Sequence, residues 1–411
     1  MSQRFPGWGQ VAVLRTRPET VLEDYARLME LAGFREALPL DKETILKVNI
    51  SWQTWYPACS TTPWQLEGVI RALLAAGYRN LIAAQNNTVV VDAYVGERNN
   101  KHLYVVQKYG VRNVHLYEPQ YRWVRYEPKQ PFLVLDQVYP EGVYIPEILI
   151  GRNIIQLPTV KTHVFTTITG AMKNAFGGLL GTKRHWTHSV IHETLVDLLM
   201  IQQDIHPGLF AVMDGTFAGD GPGPRAMRWH EKDVILASAD QVAIDAISAH
   251  LQGFDPLSIP FIRIAHEMGL GVGDPRQIEI VGEDPEWVLS QNWGFVQEDT
   301  FASRGQKMIY HGPLKPFEKL LLRTPLVPWS YFASNFYHNV YWYPFVGRKR
   351  VEAALQTKWG RLFTEYGAEA GYEGVVMPGM EPRTVMTAAL GLAFLAAGIV
   401  AGAWWLSRRR R

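Results

Sequence analysis

The residues best equipped for chemistry fall in two stretches of the chain. The first, LPTVKTHVFTTITGAMKNAFGGLLGTKRHWTHSVIH at residues 157–192, gathers Lys161, His163, Lys173, Asn174, Lys183, Arg184, His185, His188 and His192. Ammonium and guanidinium groups at this density, with several glycines among them, suit an anion such as phosphate or carboxylate, which backbone amides could help to cradle. Gly177, Gly178 and Gly181 do not have the spacing of a P-loop, and a solvated basic loop is the plain alternative. His185, His188 and His192 follow three-and-four spacing, so on a helix they would share a face and could ligate a divalent metal, with Glu193 or His163 completing the shell. Histidines near a helix start more often satisfy backbone groups or face water.

The second stretch, DGTFAGDGPGP at residues 214–224, sets Asp214 and Asp220 among turn-forming residues at the expected end of a strand. Such carboxylates could bind a hard cation or orient a basic partner such as Lys161. Lys161, His163, His188 and Asp214 are therefore the catalytic candidates. Lys173, Asn174, Lys183, Arg184 and Asp220 are the candidates for holding a ligand. Asp240 and Asp245, at the start of a later helical segment, read as caps or surface groups. Cys59 lies between a strand end and a helix cap, where amides could lower a thiol pKa, but no base stands beside it in sequence. There is no Ser-His-Asp signature, no GxGxxG after a strand and no Walker motif.

In open α/β sheets ligands collect at the carboxyl ends of strands, so the elements bearing these stretches matter. Apolar, β-branched runs predict strands at 10–15, 44–50, 81–84, 113–116, 153–156, 209–213, 234–237 and 277–281. Helix-period segments alternate with them. One is bracketed by Pro18 and Gly33; another opens on Thr62 as N-cap with Pro63 first and Gln65 closing a capping box, and stops at Gly77. Further helices are expected at 191–205 and 240–251. Alternation of this kind predicts an α/β fold, a mostly parallel sheet flanked by helices, over residues 1–285. Residues 286–380 form a different, aromatic-rich extension, with FYHNVYWYPFVGRKR at 336–350 suited to a membrane surface, and a core or partner contact equally open to it.

Residues 384–406, TVMTAALGLAFLAAGIVAGAWWL, carry no charge and are long enough to cross ~30 Å of hydrocarbon as a helix. With Trp404 and Trp405 at one end and an Arg tail at 407–411, they predict a single-pass C-terminal membrane anchor. Gly398 and Gly402 form a GxxxG pattern through which two copies could dimerise. The terminal arginines and the positive-inside rule argue one orientation; the lack of an N-terminal secretory signal argues the other, and places the globular domain on the cytoplasmic side. Forty-one Lys plus Arg against 39 Asp plus Glu leave no field that favours nucleic acid. A single cysteine is too few for an iron–sulfur cluster held by this chain alone.

ILKVNISW, then STTPWQLEGVIRALLAAGYRNLIAA, then the K-T-H and G-A-M-K-N-A-F-G blocks, D-G-T-F-A-G-D-G-P and VILASADQVAIDAISAHL, in that order, resemble the domain-of-unknown-function family 362 across residues 10–285. The resemblance implies an α/β fold and makes Lys161, His163, Lys173, Asn174, His188, Asp214 and Asp220 pocket residues. It implies no reaction. Many members of that family carry ferredoxin-like cysteine motifs, and this chain departs from them. Two functions are expected on these grounds: binding of an anionic small molecule or cofactor, with a divalent metal and polar or redox-assisted chemistry, or a non-catalytic accessory role in a membrane electron-transfer complex.

Overall fold

The computed structural model describes residues 5–86, 91–318, 320 and 333–372. They form two compact units: residues up to 300 together with those from 349 onward, and residues 301–348. The first unit is built on strands β1 (Gln10–Arg15), β2 (Thr44–Val48), β3 (Leu81–Gln85), β4 (Arg112–His115), β5 (Asn153–Leu157), β6 (Thr159–His163), β7 (Leu209–Asp220), β8 (Arg228–Ser238) and β9 (Glu279–Gly282). Their order in the sheet is β9-β1-β8-β7-β5-β2-β3-β4, with β6 paired to β7. The run from β7 to β4 is parallel throughout, and only β8 lies antiparallel to its neighbours β1 and β7. Strands β2, β3 and β5 are buried along their whole length, as parallel strands covered on both faces must be.

The flanking helices are α1 (Val21–Leu31), α2 (Pro63–Ala75), α3 (Ala171–Leu179), α4 (Ile191–Ile205) and α5 (Gln241–Gln252). The sequence signals for α2 act as expected: the Thr62 hydroxyl accepts from the Gln65 amide, the Gln65 side chain returns to the Thr62 amide, and Pro63 occupies the first position. Asp240 caps α5 through the amides of Val242 and Ala243 and also accepts from Gly9 and Val272, so it is a buried tie rather than a surface group.

Two expectations are corrected. Asp214–Asp220 is not a turn: it continues β7, pairing with Arg228–Ile235 of β8 across a bulge at Gly215–Phe217, and the chain reverses only in residues 221–227. Gly and Asp suggest turns locally, but a cross-strand ladder overrides that preference. Part of the aromatic 286–380 segment belongs to the α/β unit. Trp359, on helix α6 (Lys358–Glu365), stacks on Trp64 at 5.4 Å and donates its indole N–H to Asp233, while Phe363 stacks on Trp55 at 4.2 Å.

The second unit contains a helix at Phe301–Tyr310 and a loosely wound helical stretch, Phe336–Gly347, that buries Trp342 and Tyr343 and exposes Phe336, Tyr341 and Phe345. Among the described residues no helix is long and apolar enough to cross a membrane. The expected span at 384–406, with Gly398, Gly402 and the arginine tail, lies outside them.

Candidate functional site

A cleft of about 260 Å³ opens where the carboxyl ends of β2 and β3 meet α3. Lys47 comes from β2, Asn49 and Ser51 from the segment that follows it, and Gln85 from the end of β3. Lys173, Asn174 and Phe176 come from α3, and Arg184, His185 and His188 from the 3₁₀ stretch Thr182–Val190 between α3 and α4. Arg225 closes the rim from the turn after β7. Those described lining residues include no Asp or Glu.

Several of these residues are tied down by local bonding. Asn49 is pinned by Thr61, whose hydroxyl accepts from the Asn49 amide at 2.7 Å and donates to the Leu157 carbonyl. The Asn174 amide group donates to the Lys47 carbonyl at 2.8 Å and to Gln156 Oε1 at 2.9 Å, tying α3 to β2 and β5. Arg225 donates from Nε to the Ser51 carbonyl. Lys47 runs along α3 where the helix carries Gly177 and Gly178: a Cβ at Gly178 would sit 3.1 Å from Lys47 Cε, so the glycine is what admits the lysine stem.

The start of α3 is occupied by the protein itself. Asp245, fully buried on α5, accepts from the amides of Ala171 and Met172, and burial pushes its carboxyl up to about 8 against those two bonds. The helix amides expected to help hold an anion are therefore spoken for at this end. Gly170 makes the arrangement possible, with φ +144° and a Cβ position 2.3 Å from Asp245 Oδ1. Gly170→Ala should cost about 2–4 kcal/mol in thermal unfolding; unchanged stability would show that the Asp245 cap is not what seats α3.

Several cations gather at the cleft. Lys47 is 5% exposed, and its ammonium donates to the Val48 carbonyl at 2.5 Å; burial first, then the charge of Arg184, lowers its pKa to about 7. Lys173 lies over the Phe176 ring at 5.3 Å and is lowered to about 8 for the same two reasons. Burial brings Arg184 down to about 10. Lys161 stands beside the cleft, donating to Asn49 Oδ1, the Cys59 carbonyl and the Thr159 hydroxyl, and burial lowers it to about 7. All of these acceptors are neutral. The cleft thus gathers several buried cations, with no carboxylate among its described lining residues.

The other expected site residues lie as follows. His188 lines the cleft with its ring against Phe165 and Phe176, and burial lowers it to about 4, so it is a neutral imidazole at neutral pH. His163 lies outside the lining, its Nδ1 accepting from the Phe165 amide. Lys183 is exposed over Trp186 near Glu141. His192 stacks on Phe261, so the structure does not bring it to the same cleft as His185 and His188. Among the described residues no three His, Cys, Asp or Glu side chains gather closely enough to hold a metal ion. Asp220 bonds Arg228 and the Val296 amide, and Asp214 is enclosed by Tyr25, Thr62, Trp64 and Thr216; neither lines the cleft. Cys59 is buried against the Pro224 carbonyl, and burial pushes its thiol up to about 11, the reverse of a nucleophile's environment.

Sequence reasoning passed over Lys47, Gln85 and Arg225. A signal existed for Lys47, the one charged residue in the strand TILKV, where a fully buried parallel strand should be apolar. Arg225 has no such signal, because only the fold brings the turn after β7 to the end of β2.

A model of the family described as "Domain of unknown function (DUF362)" matches residues 44–250, just over half of the chain. The match takes in every element that lines the cleft. A thylakoid-associated protein of Synechocystis is 26% identical over 182 residues, covering 42% of this chain and 54% of that protein. The chain thus spans about half the length of this curated relative. No solved structure matches.

Proposed function

Since the chain belongs to the DUF362 family, whose description assigns no reaction, we propose from the site itself that it binds a small anionic molecule at the end of β2. The observation that carries this reading is the gathering of Lys47, Lys173, Arg184 and Arg225 around one cleft with no carboxylate among its described lining residues. Lys47 and Lys173 supply charge that strengthens when an anion arrives, and Arg184 offers a planar fork suited to two oxygens. Neutral His188, with Asn49 and Asn174, supplies uncharged polar contacts, and His185 adds a further ring nitrogen to the lining. Lys161 donates to Asn49 and so sets the direction of that amide.

Isothermal titration of the full-length protein with inorganic phosphate and pyrophosphate tests the reading directly. The pH dependence has a defined sign. Free lysine titrates near 10.4, and in the folded chain Lys47 and Lys173 titrate at about 7 and about 8. Between those values the folded protein holds fewer protons than the unfolded chain, so these two groups make the unliganded protein more stable as pH rises through that window. A bound anion restores the protons. Binding should therefore take up protons and weaken by roughly tenfold or more between pH 6.5 and 9. Heats that do not depend on buffer ionisation, together with a flat affinity over that range, would remove lysine protonation from the account.

A second reading concerns location. The thylakoid association of the Synechocystis relative, together with the apolar stretch at 384–406, favours membrane association, with the α/β unit on the cytoplasmic face or as an accessory subunit beside redox proteins. Full-length protein that stays in the pellet after an alkaline carbonate wash supports integral association; release into the supernatant opposes it.

A further inference from the structure

The cleft offers more than positive charge. Gln85 is 2% exposed and its Nε2 has no partner, so a buried donor at the end of β3 is left unmatched. Asn174 is 5% exposed, and its Nδ2 is committed to two carbonyl oxygens, which fixes the orientation of the amide and leaves Oδ1 as an unmatched acceptor. Both residues line the same cleft as Lys47, Lys173 and Arg184. Buried polar atoms are almost always satisfied, so an orphan donor and an orphan acceptor lining one cleft give a ligand's polar group two atoms to pair with.

The two orphans and the cations ask for different groups. Carboxylate and fully ionised phosphoryl oxygens accept but do not donate, so they can answer the cations and Gln85 Nε2 and cannot answer Asn174 Oδ1. An aliphatic hydroxyl does both: it donates to Asn174 Oδ1 and accepts from Gln85 Nε2. The charge count separates the anions. A single carboxylate brings one negative charge to three neighbouring cations, whereas a phosphate monoester brings about −1.5 to −2 on three oxygens. Size limits the rest. At about 260 Å³ the cleft lies below the usual 300–1,000 Å³ range of ligand pockets, which suits a molecule of roughly ten non-hydrogen atoms and is too small to enclose a nucleotide.

Resting on the anion-binding reading above, we infer that the ligand is a small phosphorylated polyol, with its phosphoryl group against Lys47, Lys173 and Arg184 and a hydroxyl between Asn174 and Gln85.

Calorimetric titration of the full-length protein with glycerol 3-phosphate and with propyl phosphate tests this, because the two probes share a phosphate monoester and a three-carbon chain and differ in two hydroxyls. Glycerol 3-phosphate should bind roughly tenfold tighter or better, since each probe that cannot pair the orphans leaves them buried and unsatisfied. Gln85→Met, which keeps the side-chain length and removes the donor, should shrink that preference several-fold. Asn174→Ala should do the same, and Gln85→Met decides the matter if Asn174→Ala fails to fold. Equal affinities for the two probes, or a preference that Gln85→Met leaves intact, would overturn the polyol assignment and leave the anion site standing. Failure of both probes and of inorganic phosphate to bind the wild-type protein would overturn the anion-binding reading itself.

Discussion

Lys47→Met should abolish anion binding and, at the same time, make the unliganded protein harder to unfold. Lys47 lies on a fully buried strand with its ammonium bonded to one backbone carbonyl, and a titration point of about 7 means that keeping it charged costs on the order of 5 kcal/mol relative to water. Methionine fills nearly the same path along Gly177 and Gly178 without that cost. Replacing a buried charge by an apolar side chain of similar volume is commonly neutral or stabilising by about 1–4 kcal/mol, and a gain in the lower half of that range should raise the melting temperature by several degrees. Binding should move the other way. A charge-assisted contact to a phosphate oxygen is lost from a water-poor site, and the affinity for pyrophosphate should fall by about 100-fold or more. A variant that melted lower and bound as before would show Lys47 to be a packing residue. The opposed signs matter, because a residue that costs stability and supports binding is retained for what it binds.

Asp214→Asn should have the largest effect on folding and almost none on the cleft. The Asp214 carboxylate accepts from the Tyr25 hydroxyl at 2.6 Å, the Thr62 hydroxyl at 2.9 Å and the Trp64 indole at 3.0 Å through one oxygen, and from the Thr216 amide and hydroxyl through the other. It thereby joins α1, the cap of α2 and the bulge of β7. Burial pushes its own pKa up, and it pushes that of Tyr25 well above the ordinary range. An amide in its place turns an NH₂ group toward donors whichever way it faces, so at least two of them lose their acceptor. The loss should be about 3–5 kcal/mol, seen as a fall in melting temperature on the order of 10 °C, with pyrophosphate affinity of the folded fraction within about twofold of wild type. A stable Asp214→Asn protein that no longer bound would return Asp214 to the chemistry the sequence suggested for it.

The contrast between these two residues shows where sequence reading reaches and where it stops. Local signals carry their elements well: the Thr62–Pro63–Gln65 start of α2, the apolar run of β1 and the period of α4 all lie in the structure where spacing places them. Within the basic stretch at 157–192, the gathering of Lys173, Arg184 and His188 was legible because they sit on consecutive elements that converge on the cleft. What was not legible depends on contacts far apart in the chain. Asp245 caps α3 from more than seventy residues away, and Arg225 reaches the cleft only because β7 runs on past Asp214 and turns back beside β2's loop. The segment 214–220 has the composition of a turn, and only its ladder with β8 makes it a strand. Composition leaves the setting of Trp359 and Phe363 open, and they are core residues once Trp64 and Trp55 are in place.

The central claim, that this protein carries a small anion between β2 and α3, is tested most directly by native mass spectrometry of the full-length chain extracted gently from its own source. The account predicts a stoichiometric adduct of a small phosphate-bearing molecule on the wild-type protein and its absence from Lys47→Met prepared in the same way. A bare chain in both preparations, or an adduct that Lys47→Met retains in full, would contradict it.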